Sequence, residues 1–221
     1  MSSHRRSTGR DAILDAAAVL MDERGVDNVS LNQINSASGN RNRSAITYHF
    51  GSREALVHQL AARTMEVLNS EREALLDHLE RSGAPLTARQ AVEVICAPLT
   101  GALGSIEGRR FLRLCGQLIN HPTYNADARQ ALMVNSSIQR SAAHLGGALA
   151  HLPPAIALER ASQIIGFLVR AYADQARLID ADQPPRPPLD ARTYTVNLVD
   201  LVLAMMATPS TASDNPGDSG A

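Results

Sequence analysis

The 221-residue chain is predicted to be all-α. Three observations lead there. Apolar residues recur at helical spacing through most of the chain, with no convincing period-2 alternation to mark a strand. Capping residues precede these stripes, and Gly, Pro or Asn clusters follow them. Aromatics make up 3% of the residues and Trp is absent, so a core drawn from the 44% apolar content must be aliphatic and rich in Ala. The stripes resolve into about nine helices. They form a three-helix domain over residues 8–54 and a larger helical domain over 55–207. A polar arm, 1–7, precedes them, and a Ser/Thr/Gly/Asp/Pro tail expected to be disordered, 208–221, follows.

Thr8 opens the first helix, with Asp11 at capping-box spacing and suited to the positive helix end. Its apolar stripe is Ile13, Leu14, Ala17, Leu20 and Met21, and Gly25 closes it. The stretch from Val29 to Leu56, VSLNQINSASGNRNRSAITYHFGSREAL, is the most informative in the chain. Ser30 and Gln33 have capping-box spacing, and Val29 with Ile34 has the spacing of a hydrophobic staple. A short helix to about Ala37 is broken at Ser38-Gly39-Asn40, and a second runs from about Asn42 to His49. Two short helices joined by a tight Gly-containing turn follow the helix-turn-helix plan. On the second, Arg43, Ser44, Thr47 and Tyr48 share one side. Ala45, Ile46, His49 and Phe50 share the other. From Ser30 through Arg53 the charged residues are Arg41, Arg43 and Arg53, with no carboxylate to repel phosphate. The same pattern also fits a solvated face on an ordinary helical hairpin. The arm, with Arg5 and Arg6, is either a free tail or a groove-reaching extension.

Ser52 caps a long helix to about Glu80 that can belong to both domains and transmit change between them. Thr87 starts the next, where Pro98 should kink or end the helix. Further helices are expected over about 107–120, 125–149, 154–180 and 191–206. The Pro-rich 182–190 forms a stiff, non-helical connector. The last helix, containing VNLVDLVLAMM, is apolar almost all round and so calls for burial on several sides. Either the monomer's own core or a dimer interface supplies that.

Thr8 to about Leu60 resembles the DNA-binding domain of the TetR family of bacterial transcriptional regulators. The resemblance lies in a capped helix ending at ERGV, a Ser-capped helix beginning SLNQI, a Gly turn, a short helix ending in HF, and a SREAL restart. The turn carries one residue more than the family pattern. Thr47 stands where the family has Tyr, and Tyr48 follows it. The resemblance implies that Thr47, Tyr48 and Arg53 lie near the phosphate backbone and that Arg41, Asn42, Arg43 and Ser44 lie nearest the bases. It implies a homodimer pairing through the last two long helices, with Ile164, Leu168, Tyr172, Leu198, Leu201, Val202 and Met205 as the candidate interface. It also implies a small effector bound among the C-terminal helices. Phe111, Cys115, Ile119, Met133 and Phe167 are candidate walls by composition, though core packing is the commoner role for any one such residue. So few aromatics make a stacking cage for a large planar drug less suitable than an aliphatic or lipid-like ligand.

The chemistry of other classes is missing from the sequence. Net charge is −1, so DNA contact must come from a local patch. No P-loop, GxSxG or HExxH spacing occurs, and His4, His49, His58, His78, His121, His144 and His151 form no close ligand pair. The two cysteines, Cys96 and Cys115, make no CxxC and fit a reducing cytosol. No apolar run approaches the ~20 residues of a membrane span, and the N-terminus lacks an apolar signal core. The expectation is a cytoplasmic, non-enzymatic, ligand-responsive repressor that needs no cofactor or metal and binds a palindromic double-stranded operator. An all-helical enzyme or an adaptor without DNA binding is the rival.

Overall fold

A computed structural model describes residues 9–39, 45–81, 83–126 and 136–211. These form nine α-helices and two short 3-10 turns, with no strand among the described residues. Helix α1, Gly9–Arg24, buries the whole stripe Ile13, Leu14, Ala17, Leu20 and Met21. A 3-10 turn, Val26–Asn28, leads to α2, Leu31–Ala37. The capping box forms there: Gln33 N donates to Ser30 Oγ at 3.3 Å, and Ser30 N donates to Gln33 Oε1 at 2.8 Å. Val29 and Ile34 are both buried as a staple requires. Gly39 has φ of +73°, a left-handed conformation that ends α2 at little cost only because it has no Cβ. Helix α3, Ala45–Phe50, follows the turn.

Helix α4, Arg53–Glu80, is 28 residues long, hence ~42 Å. Ser52 caps it by accepting from Ala55 N at 3.1 Å. It serves two cores. Leu56, Val57 and Leu60 pack with α1, α2 and α3, whereas Leu68 packs in the second core. Helix α5, Ala88–Ala102, starts on a capping box between Thr87 and Gln90. Pro98 lies inside α5 without ending it. One backbone hydrogen bond is forfeited there, but Pro98 is buried, and Thr100 in the following turn is bonded to Tyr172 Oη at 2.9 Å and Thr195 Oγ1 at 2.6 Å. Tertiary packing outweighs the local penalty.

Helix α6, Ile106–Leu118, packs most extensively on the long α8, Pro154–Asp180. The approach is close at Gly116, where an added Cβ would stand 2.6 Å from Ala173 Cβ. Helix α7, described over Ser136–Leu145, stops short of the end at about 149 expected of it. Its end passes into a 3-10 turn at Gly146–Ala148, where two successive glycines favour leaving the helix. Residues 127–135 lie outside the described residues, as do the 1–7 arm and tail residues 212–221.

The 182–190 connector carries no helix, and Gln175 Nε2 ties it down by donating to Leu189 O at 2.8 Å. Helix α9, Ala191–Ala207, is capped by Asp190 and packs chiefly on α5. Its inward stripe is Tyr194, Leu198, Val199, Val202 and Met206. Among the described residues no single helix is long and apolar enough to cross a membrane.

Most of the seven expected interface residues are taken up by the protomer's own packing. Ile164, Leu168, Tyr172, Leu198 and Val202 are buried within the protomer's own core, and Met205 packs half-buried against it. Leu201 is exposed, at 44%. An apolar helix surface shows that burial is needed, but the phase that meets the protomer's own core is fixed by α5 and α6. Leu158, Val196 and Leu201 are the large apolar side chains that α8 and α9 leave outward.

Candidate nucleic-acid interface and ligand cavity

The split predicted for α3 is present in space. Ala45, Ile46 and Phe50 are buried against the head, and Thr47 and Tyr48 face outward. Tyr48 is 84% exposed, an unusual position for a large aromatic side chain in a well-packed head. Its ring meets the His49 ring edge-on at 5.1 Å, which limits how it projects. Behind it the Arg10 guanidinium lies 5.7 Å from the centre of the Phe50 ring and also donates to Gln59 at 2.5 Å. This seats α3 on α1 and α4. Arg41, Asn42, Arg43 and Ser44, expected nearest the bases, lie outside the described residues.

Arg53, expected near the phosphates, is engaged within the head itself. Its guanidinium donates to Val29 O at 2.5 Å and also to Val26 O. It therefore clasps the α1–α2 connection to the start of α4. Those carbonyls lie in a non-helical segment and need donors from elsewhere.

The C-terminal helices enclose a cavity of about 90 Å³ between α4, α5, α6, α7 and α8. Phe111, Cys115 and Ile119 line it. Phe167 does not: it packs into the surrounding core, because Ile165, Leu168 and Val169 occupy the cavity-facing side of α8. Met133 is outside the described residues. Burial raises the thiols of both lining Cys115 and nearby Cys96, the latter to about 11, so both stay protonated near neutrality.

One cavity residue went unnoticed in the sequence. Arg72 is 2% exposed and lines this otherwise apolar wall. The signal was available: Leu68, Arg72 and Leu76 are spaced at i, i+4 and i+8, which puts the arginine on a buried stripe. Its Nη1 donates to Asn69 Oδ1 at 3.1 Å and to Ser137 Oγ at 3.0 Å. Its Nε has no partner among the described residues.

Helix α6 joins this cavity to the head. Phe111, Leu112 and Cys115 face the cavity, whereas Arg113 forms a two-pronged pair with Asp22 of α1 at 2.5 and 2.7 Å. Arg113 also pairs with Asp180 at the end of α8, and Arg109 meets the same carboxylate at 2.7 Å. Gln117 Oε1 accepts from Val26 N at 3.0 Å. Partial burial opposes ionisation of Asp180, but the bonds from Arg113 and Arg109 prevail and hold its carboxyl below the usual range. Among the described residues no group of three or more His, Cys, Asp or Glu is placed to hold a metal ion.

A helix-turn-helix head with an outward-facing second helix, joined through shared helices to a larger helical body, is the architecture of a helix-turn-helix transcription regulator. The chain belongs to the TetR family. The profile described as "Bacterial regulatory proteins, tetR family" matches residues 13–60, and "Tetracyclin repressor-like, C-terminal domain" matches residues 94–205. No curated protein matches the chain significantly.

Solved structures share the fold. One assigned to the tetR family, from Shewanella sp. PV-4, is 20% identical with a TM-score of 0.61, covering 90% of this chain and 96% of that one. The fatty acid degradation regulator FadR of Bacillus halodurans is 13% identical with a TM-score of 0.58, covering 87% and 97%. Thermus thermophilus FadR, a repressor solved with lauroyl-CoA, is 20% identical with a TM-score of 0.54, covering 94% and 99%.

Proposed function

We propose that this chain is a ligand-responsive repressor that acts in the cytoplasm as a homodimer on a palindromic operator. The observation that carries this is α3, whose inner face is buried in the head while Tyr48 and Thr47 stand free. On this reading Tyr48 and Thr47 contact phosphates and fix the register, and the residues from Arg41 to Ser44 read base edges. Arg43 is the assigned reader of guanine, by the two-pronged geometry that arginine offers to O6 and N7.

Pairing uses the apolar side chains that the protomer leaves exposed on α8 and α9, namely Leu158, Val196 and Leu201. Two α3 helices would then enter successive major grooves, with half-sites ~34–36 Å apart or a multiple of that. A ligand in the cavity shifts α6 or α4, and the Asp22–Arg113–Asp180 network and Gln117 carry that shift to the head.

The test is selection of bound sequences from a random double-stranded DNA library by the full-length protein. An inverted repeat should emerge, and its binding should weaken steeply with salt. In gel shifts on that sequence, Arg43→Ala should cost ~1–3 kcal/mol and relax one base position. Recovery of no preferred sequence, or wild-type binding by that variant, counts against the assignment.

A further inference from the structure

We propose that the cavity takes a small organic carboxylate, its apolar body among the aliphatic walls and its carboxylate on Arg72. This rests on reading the cavity as the effector site, and it names the ligand's chemistry.

The case begins with charge. Arg72 sits mid-helix on α4 with 2% of its surface exposed. The side chains it bonds, Asn69 and Ser137, are neutral. Among the described residues no carboxylate pairs with it. The partly buried Arg113 is treated differently: it has both Asp22 and Asp180. Burial lowers the Arg72 pKa to about 10, so the group remains a cation at neutral pH. An unneutralised cation in an apolar interior is costly, and removing such a cost is what a bound anion does.

Geometry narrows the anion. A guanidinium offers five N–H groups in a planar fork, and among the described residues only Nη1 is committed to protein partners. The unpartnered Nε is one of the donors that a carboxylate engages side-on, in the two-pronged form. A single positive charge suits a monoanion, and a phosphate dianion would bring a second charge with nothing to meet it.

The remaining wall is apolar and includes Met65, Leu99, Phe111, Ile138 and Leu168. It suits hydrocarbon and offers no second polar anchor. Size narrows the ligand further. The cavity of about 90 Å³ is smaller than the roughly 150 Å³ that accommodates benzene in an engineered protein cavity. Short or branched aliphatic acids therefore fit best, benzoate needs modest expansion, and long acyl chains would require the helices to part.

The position also gives the anion leverage. Arg72 lies on the same helix whose first turns pack in the head. Its partner Ser137 lies on α7. A carboxylate that draws the guanidinium toward itself acts on both.

The experiment uses full-length protein and a series of acids from propionate and isobutyrate through hexanoate to benzoate. Each acid is paired with its neutral primary amide, and affinities are read by calorimetry. At least one acid of the series should bind the wild type roughly tenfold or more tightly than its amide, because the amide cannot satisfy a buried cation. Arg72→Met should abolish that preference, so that amide binds as well as acid. Arg72→Lys should retain only part of it.

Equal binding of acid and amide by the wild type overturns the proposal while leaving the cavity an effector site. It does so without any variant, and so does not depend on one folding. Retention of the full preference in folded Arg72→Met also overturns it. If neither acids nor amides bind, the effector-site reading falls and takes this proposal with it.

Discussion

The core of the head is apolar almost throughout. Ile13, Leu14, Met21, Ile34 and Leu56 are sealed from solvent, and Asn35 is the one polar side chain buried with them among the described residues. The core of the body holds Arg72, Ser137, Ser141 and Gln175 at 2% exposure or less, beside a cavity. An interdigitated aliphatic core has few alternative arrangements of similar energy and moves as a unit. Polar groups can change partners, and a cavity leaves room for them to do so. Under the proposed function, the contrast gives a fixed shape to the part that would meet DNA and an adjustable interior to the part that would meet a ligand. Helices α4 and α6 belong to both.

The strongest way to break this contrast is through the head. Leu14→Ala should destabilise the protein by ~2–5 kcal/mol in urea unfolding, since a sealed site cannot collapse around the lost methyls. A loss below ~1 kcal/mol would mean the head is loosely packed after all.

Next in size is the clasp at Arg53. Arg53→Met removes the donor from Val26 O and Val29 O and should cost ~1.5–3 kcal/mol of stability. If stability instead holds while the slope of DNA affinity against salt falls by about one, Arg53 is a phosphate ligand and the head's geometry must be reconsidered.

Arg53 also marks where sequence reading reached its limit. Helix starts were legible because capping is local: Ser30 with Gln33, Ser52 and Thr87 each act within three residues of themselves. The helix-turn-helix was legible for the same reason. Whether an arginine meets a phosphate or a carbonyl depends on residues more than twenty positions away, and its local pattern is the same in both cases. The final helix posed a similar problem. Apolar on nearly every side, α9 gave no sign of which face Leu198 and Val202 would share with Leu201, and packing on α5 separated them. Phe167 posed the same problem, one step from Leu168 but outside the cavity wall. Arg72 was missed because a charged residue is ordinarily read as surface, even where its spacing matches the apolar stripe.

A smaller effect should come from acid. Asp180 has its carboxyl held below the usual range by Arg113 and Arg109 against the opposing effect of burial. The folded state thus binds a proton there less readily than the unfolded chain. The stabilisation is complete above the ordinary aspartate pKa of about 4 and disappears as pH falls through the lowered folded value. Stability measured from pH 6 downward should therefore fall less steeply below about pH 4 in Asp180→Asn than in wild type. At neutral pH the variant should lose about 1 kcal/mol or less, the pair being partly exposed. Parallel acid profiles would remove Asp180 from the link between α6 and α8.

The smallest expected change sharpens the contrast most. Arg72→Met exchanges a buried cation for an apolar side chain of similar length. The variant loses the bonds to Asn69 and Ser137 but no longer pays to desolvate a charge. Those terms oppose each other, so stability without ligand should change by less than about 1 kcal/mol in either direction. Leu14 and Arg72 are buried to similar degrees, so burial alone would predict similar losses. A near-zero result at Arg72 beside a large one at Leu14 would show that the arginine is held there for something other than folding. A loss of ~3 kcal/mol or more at Arg72 would instead make it a structural support of α4 and α7, and the body's core would then be as fixed as the head's.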